Sequence, residues 1–175
     1  PGLEFRRVLF LSLRAKGFSG DLDFYGTHPA QRSIRRADVI LWFFDATERI
    51  SKLDKQLCEY ISQQYKPCVF VVNKWDQLAG TMPTEKWVHY LRDTFRTMWY
   101  APIAFITGKT GKNVTALLNH AQMLYKQSRL RVSTAQLNKL VHAALEANPP
   151  PLFQNRRAKI YYATQVAAQP PTIVL

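Results

Sequence analysis

Short apolar runs alternate with longer segments of helical periodicity over much of this chain. Residues 39–44 are continuously apolar, rich in β-branched and aromatic side chains and flanked by Asp38 and Asp45, the signature of a strand buried on both faces. Residues 51–65 then place Leu53, Leu57, Tyr60 and Ile61 at helical spacing, with Ser51 and Asp54 as an N-terminal capping pair. Residues 67–72 repeat the buried-strand pattern and lead into Asn73-Lys74-Trp75-Asp76, a loop through Gly80 and Pro83, and a predicted helix over residues 84–98 that buries Trp87, Leu91, Phe95 and Met98. Residues 102–106 give a third strand, followed by the loop Thr107-Gly108-Lys109-Thr110-Gly111-Lys112 and a helix over 113–128. A β-α-β-α-β-α series predicts an α/β fold, a parallel sheet with helices packed on its faces, because each crossover must return over the sheet. Ligands of such sheets lie at the carboxyl ends of the strands, where the loops 73–76 and 107–112 both fall.

The pattern changes after residue 128. Residues 133–147 form a helical stripe of Leu137, Leu140, Val141, Ala144 and Leu145, stopped by Asn148-Pro149-Pro150-Pro151. Residues 159–166 alternate like a strand, Pro170-Pro171 reads as a turn, and residues 172–175 open another strand. The expected organisation is an unassigned basic segment over 1–20, an α/β domain over 21–129 and the first part of an α+β domain over 130–175. Within the first segment, Val8-Leu9-Phe10-Leu11 is a short strand candidate set among Arg6, Arg7, Arg14 and Lys16, and no role follows from it.

Composition narrows the classes. With 175 residues, 47% of them apolar and 7 of them Gly, the chain is neither a disordered tail nor a low-complexity repeat, and it can hold one core plus a partial second one. The longest apolar runs fall far short of the ~20 residues a membrane-spanning helix needs, and the N-terminal residues have no signal-peptide layout. A cytoplasmic protein without membrane contact is expected, and the sequence leaves open whether it is a piece of a longer chain. Cys58 and Cys68 lack a second pair or a nearby His at ligand spacing, which argues against a disulfide framework or a zinc site, and the four histidines are scattered. The net charge of +12 is uneven: residues 126–175 carry seven basic groups against Glu146 alone, whereas residues 37–125 are nearly balanced. A basic end of this kind attracts a polyanion, nucleic acid first among them.

The sharpest chemical signal is Asn73-Lys74-Trp75-Asp76 directly after a buried strand. A carboxylate at Asp76 can accept from both N1–H and the N2 amine of guanine, a donor pair that adenine lacks. Asn73 can bond the base edge and tie neighbouring loops, while the Lys74 methylenes lie over the ring with the ammonium in solvent. The next loop, Thr107-Gly108-Lys109, reads alone as any strand-to-helix turn, but it is where guanine-nucleotide proteins place backbone N–H groups against the base O6 and a lysine stem on its other face. The string Gly108-Lys109-Thr110 is not a phosphate loop, since G-x-x-x-x-G-K-[ST] would need Gly where Ile103 stands. Gly108 to Gly111 matches the G-x-x-G of RNA-binding KH domains only by spacing, because it lies between a strand and a helix.

From about residue 21 onward the sequence resembles the bacterial Der (EngA) GTPase family, built from two tandem GTPase domains and a C-terminal KH-like domain. The resemblance is carried by Asp23-Phe24-Tyr25 before a helix, Arg36-Ala37-Asp38-Val39-Ile40-Leu41 with Asp45-Ala46-Thr47-Glu48, Val71-Val72-Asn73-Lys74-Trp75-Asp76, Ala101-Pro102-Ile103 with Phe105-Ile106, and Thr110-Gly111-Lys112. It continues through Val132-Ser133-Thr134, Leu137-Asn138 and Asn148-Pro149-Pro150-Pro151 to Lys159-Ile160-Tyr161-Tyr162-Ala163-Thr164-Gln165-Val166 and Pro170-Pro171-Thr172. It implies the back half of the second GTPase domain, a P-loop fold, followed by an incomplete KH-like domain, binding of GTP and GDP with Mg²⁺ in the intact protein, GTP hydrolysis, and work in assembly of the large ribosomal subunit.

On that resemblance the nucleotide-binding residues are Asn73, Lys74, Asp76, Thr107, Gly108 and Lys109, with no catalytic residue and no metal ligand among the 175. Thr107-Gly108 stands where the family usually has Ser-Ala, a change that keeps a hydroxyl and a small residue. The phosphate-binding loop, the Mg²⁺-contacting threonine and the D-x-x-G motif belong upstream of residue 21, and residues 1–20 supply none of them. The chain by itself is therefore expected not to hydrolyse GTP. The alternative is an RNA- or ribosome-binding module without nucleotide hydrolysis, favoured by the basic end.

Overall fold

The computed structural model describes residues 7–12, 22–152 and 159–175. Arg6, Arg14 and Lys16 of the basic first segment, and Arg156 and Arg157 of the basic end, lie outside the described residues. The chain divides into two compact units, Pro1–Tyr125 and Lys126–Leu175.

The first unit is built on a four-stranded parallel sheet in the order β1 (Val8–Ser12), β2 (Val39–Asp45), β3 (Cys68–Asn73), β4 (Ile103–Phe105). Three helices connect these strands: α1 (Leu22–Arg36), α2 (Lys52–Gln63) and α3 (Thr84–Thr94). Because the strands are laid down in sequence order and crossovers of this type turn right-handed, all three helices belong on one face. The side chains agree. Ile40, Trp42 and Phe44 of β2 and Cys68, Phe70 and Val72 of β3 share a core with Ile34 of α1, Leu57 and Ile61 of α2 and Trp87 and Leu91 of α3. The alternate residues Val39, Leu41, Val69 and Val71 pack instead with Leu117 and Ala121 of α4 (Val114–Ser128). A strand covered on both faces has no polar side to show, which is why β2 and β3 read as unbroken apolar runs.

Local chemistry sets the helix ends. Ser51 Oγ accepts from Asp54 N at 3.2 Å while Asp54 Oδ2 accepts from Ser51 N at 2.9 Å, the reciprocal capping arrangement expected for α2. The helix expected over 84–98 is interrupted. Its backbone leaves helical geometry at Phe95 and resumes as a single 3₁₀ turn over Arg96–Met98. The break lets Phe95 place its ring 5.7, 5.5 and 5.3 Å from those of Trp42, Phe44 and Phe70 while Met98 stays buried. Asp23, Phe24 and Tyr25 lie within α1 rather than ahead of it, and the candidate strand at residues 8–11 is real: β1 pairs with β2 over its whole length. Both cysteines are free and buried, and burial pushes the Cys58 thiol up to about 12.

The second unit carries α5 (Thr134–Ala147), β5 (Thr164–Ala168) and β6 (Pro171–Val174), the last two antiparallel. Ser133 caps α5 through Gln136 N. The strand expected over 159–166 forms later, because the fixed point is Ala163. This residue is fully buried, and its N–H and C=O bond Asn138 Oδ1 and Nδ2, both at 2.9 Å. Ahead of it Tyr161 and Tyr162 are both exposed, so their alternation with neighbours does not report a buried face. Pro171 stands at the first position of β6, where a strand tolerates proline.

Candidate functional site

The carboxyl ends of β2, β3 and β4 lie side by side, since Asp45 is level with Asn73 and Val72 with Phe105. The loops that leave β3 and β4 are tied directly. Asn73 Oδ1 accepts from Gly108 N at 2.9 Å, and Trp75 N donates to Ile106 O at 3.1 Å. The Trp75 ring packs on Phe105, centroids 4.6 Å apart, which fixes the turn over Trp75–Gln77 that carries Asp76. Asp76 itself is exposed and has no hydrogen bond or ion pair among the described residues, so its carboxylate is available. Gly108 lies close against Asn73: a Cβ built on it would stand 3.2 Å from Asn73 Oδ1, so a larger residue would need that side chain to give by a few tenths of an ångström.

The second loop is a closed turn. Thr107 is buried, its N–H donates to Lys112 O at 3.2 Å and its C=O accepts from Gly111 N at 2.9 Å. Gly111 at φ +76° and Asn113 at φ 64° supply the left-handed geometry that the turn needs, and Asn113 Nδ2 donates to Phe105 O at 2.9 Å. With the Thr107 and Gly108 N–H groups engaged within the protein, the Lys109 N–H is the one of the three without an acceptor among the described residues.

Lys74 departs from the sequence reading. Its backbone is left-handed, at φ 60°, and its ammonium is not simply solvated: Nζ pairs with Asp45 Oδ2. The other carboxylate oxygen, Asp45 Oδ1, accepts from Thr47 N at 2.9 Å and Thr47 Oγ1 at 2.7 Å. Burial pushes the Asp45 carboxyl up, but the bonds from Lys74 and Thr47 outweigh it and hold the group below its ordinary 3.8. Asp45 and Thr47 help to carry the family resemblance but are not among the six candidate site residues of the sequence reading. The signal was present, an Asp-x-Thr at the end of an apolar strand, but an acid there reads first as a strand terminator.

All six sequence-predicted residues thus lie at one sheet edge, Asn73 at the end of β3 and the other five on the two adjacent loops. The one D-x-x-G string in the chain, Asp23 to Gly26, runs inside α1 and forms no loop beside them. Among the described residues, no three His, Cys, Asp or Glu side chains gather as a metal would require, and no helix is long and apolar enough to cross a membrane.

A model of the 50S ribosome-binding GTPase family matches residues 13–74, and one of the KH-domain-like C-terminal region of EngA bacterial GTPases matches residues 131–175. GTPase Der of Rhodopirellula baltica is 60% identical over 162 residues, which cover 93% of this chain and 36% of that protein. GTPase Der of Desulfitobacterium hafniense is 40% identical over 164 residues, covering 93% and 37%, and that of Geobacter metallireducens 38% identical over 165 residues, covering 93% and 38%. The chain thus spans little more than a third of the length of these curated relatives. A solved structure of Era in complex with MgGDPNP and nucleotides 1506–1542 of 16S ribosomal RNA is similar at a TM-score of 0.48 and 24% identity, over 62% of this chain and 36% of that one. With two family models matched in succession and high identity along nearly the whole length, the chain belongs to the GTPase Der (EngA) family.

Proposed function

We propose that this chain supplies the guanine-reading part of a Der-type GTPase that acts in the cytoplasm in biogenesis of the large ribosomal subunit. Residues 21–129 are the C-terminal part of the GTPase domain on this reading, and residues 130–175 the N-terminal part of the KH-like domain. The observation that carries it is the Asn73–Gly108 hydrogen bond, which draws two loops into one cradle at the carboxyl edge of a parallel sheet. Asp76 accepts from guanine N1–H and N2, the Lys109 N–H donates to O6, and the stems of Lys74 and Lys109 flank the ring, while Thr107 and Gly108 hold the loop against Asn73. GTP and GDP are the nucleotides.

Mg²⁺ belongs to the phosphate end of a bound nucleotide. That ion is held by phosphates, water and one or two protein oxygens, so it comes with the phosphate-binding parts of the intact protein. Phosphoryl transfer depends on a phosphate cradle and a held metal, and the 175 residues contain no G-x-x-x-x-G-K-[ST]. On this reading they bind the base and do not hydrolyse GTP alone.

The test is an amide NMR titration of the 175-residue chain, which follows affinities into the millimolar range, with GDP, ADP and the xanthine nucleotide. GDP is expected to shift Asn73 and Gly108 at concentrations at least about ten-fold below ADP. Asp76→Asn exchanges one carboxylate oxygen for an amide NH₂ and leaves one guanine donor without its acceptor, about 1–3 kcal/mol, or roughly a five- to 150-fold loss. The same variant gains the xanthine nucleotide, whose C2 oxygen accepts from the new amide. An equal response to ADP, or an unchanged GDP preference in the variant, overturns the reading.

The charge of the second unit supports a second reading, an RNA- or ribosome-binding module without nucleotide hydrolysis. Residues 126–175 carry a net charge of +6. Such binding weakens steeply with salt, with a slope set by the number of phosphates neutralised, and an RNA affinity indifferent to salt would exclude it.

A further inference from the structure

The ion pair between Lys74 and Asp45 gives the base pocket a support that the binding motif itself does not contain. Lys74 is constrained at both ends. Its backbone occupies the left-handed region, which a lysine seldom visits and which sets the direction in which the stem leaves the chain. At the other end its ammonium meets a carboxylate that cannot readily swing away, because Asp45 Oδ1 is held by the backbone N–H and hydroxyl of Thr47. The backbone beneath is fixed as well: Asp45 and Asn73 are level in the β2–β3 ladder, and Ala46 N donates to Asn73 O at 3.0 Å. Thr47, Asp45 and Lys74 therefore form a bracket that crosses from the end of one strand to the loop after its neighbour.

We propose that Asp45 is a positioning residue for nucleotide binding: by holding the Lys74 ammonium it fixes the lysine stem as a wall of the purine pocket before any ligand arrives. The inference rests on the guanine reading above. A free lysine samples many rotamers, and ordering it on binding weakens affinity, whereas a stem already held in place avoids most of that loss. Since Asp45 acts on the ring face through the stem and not on the base edge, its removal should weaken every purine that stacks there to the same degree. Choice between guanine and other purines stays with Asp76.

The experiment is a double-mutant cycle on the 175-residue chain, with Asp45→Asn, Lys74→Ala and the pair. GDP and IDP affinities come from amide NMR titration, and Lys74 side-chain order from methylene relaxation in the free protein. Asp45→Asn is expected to weaken GDP and IDP alike by about three- to ten-fold, to leave their ratio unchanged, to loosen the Lys74 methylenes, and to do nothing further once Lys74 is alanine. Thr47→Val removes the hydroxyl bond alone and keeps the question answerable if Asp45→Asn fails to fold. It should give a smaller loss of the same kind, also absent without Lys74. An effect of Asp45→Asn that persists undiminished in the Lys74→Ala background, or Lys74 methylenes as ordered in Asp45→Asn as in the native chain, overturns the proposal. A native chain that shows no response to GDP overturns the guanine reading instead, and the relaxation result still decides whether Asp45 holds Lys74.

Discussion

The two units of this chain are held together by different means. In the first, Trp42, Phe44, Phe70 and Phe95 form a continuous ring cluster with centroids 5.3 to 6.1 Å apart, at the centre of a sheet covered on both faces. In the second, Leu137 and Ala163 are the buried apolar residues among those described, while Val166, Ile173 and Val174 are about half exposed. A two-stranded ribbon has too little apolar surface to make a dry core, and here directional bonds do more of the holding. Asn138 takes both backbone groups of Ala163, and Gln165 reaches Val132 N at 2.8 Å and Ala167 O at 3.1 Å. Burial is tolerant of which apolar residue supplies it, whereas a clasp of this kind depends on one side chain.

The largest test of that contrast is Phe95→Ala. Its ring touches three others, so its loss should destabilise the first unit by ~3–5 kcal/mol, read as a lowered urea midpoint for Trp42 burial. Next comes Asn138→Ala, which strands the amide and carbonyl of Ala163 at about 1–3 kcal/mol for a buried group left unpaired. Hydrogen exchange should quicken at Ala163 and through β5 and stay slow in β2 and β3. Protection lost equally in both units would show that they do not differ as described. The smallest effect is electrostatic and confined to the first unit. The folded pKa of Asp45 lies below its unfolded value, so its contribution to stability is complete above 3.8 and fades as pH falls through the lower folded value. Thermal melts on acidification should lose this part of their stability in the native chain, and Asp45→Asn should flatten the dependence.

How legible each unit was in the sequence follows the same contrast. β2 and β3 were visible because double-sided burial leaves no other way to write such a strand, and the Ser51–Asp54 cap was visible because it is a local exchange between residues three apart. The edge that carries the candidate site followed from topology alone. The strand near Ala163 was misplaced by several residues, since what fixes it is a bond from Asn138, 25 residues earlier. The break at Phe95 answers to three rings on other strands, and the partner of Lys74 sits at the end of a different strand. Contacts of that kind leave no periodic trace.

The order of the parallel sheet bears on how the site comes into being. Paired residues of successive strands are 31, 28 and 33 apart, as in Val8 with Val39, Ile40 with Cys68 and Phe70 with Ile103. Each closure spans a similar, modest length of chain, and closure entropy grows only slowly with length. Among the described strands none has to wait for a later one before it can dock, so this part of the sheet can grow during synthesis in the direction of translation. The loops joined by Asn73 and Gly108 meet only when β4 arrives, which makes the base cradle the last part of the sheet to be assembled.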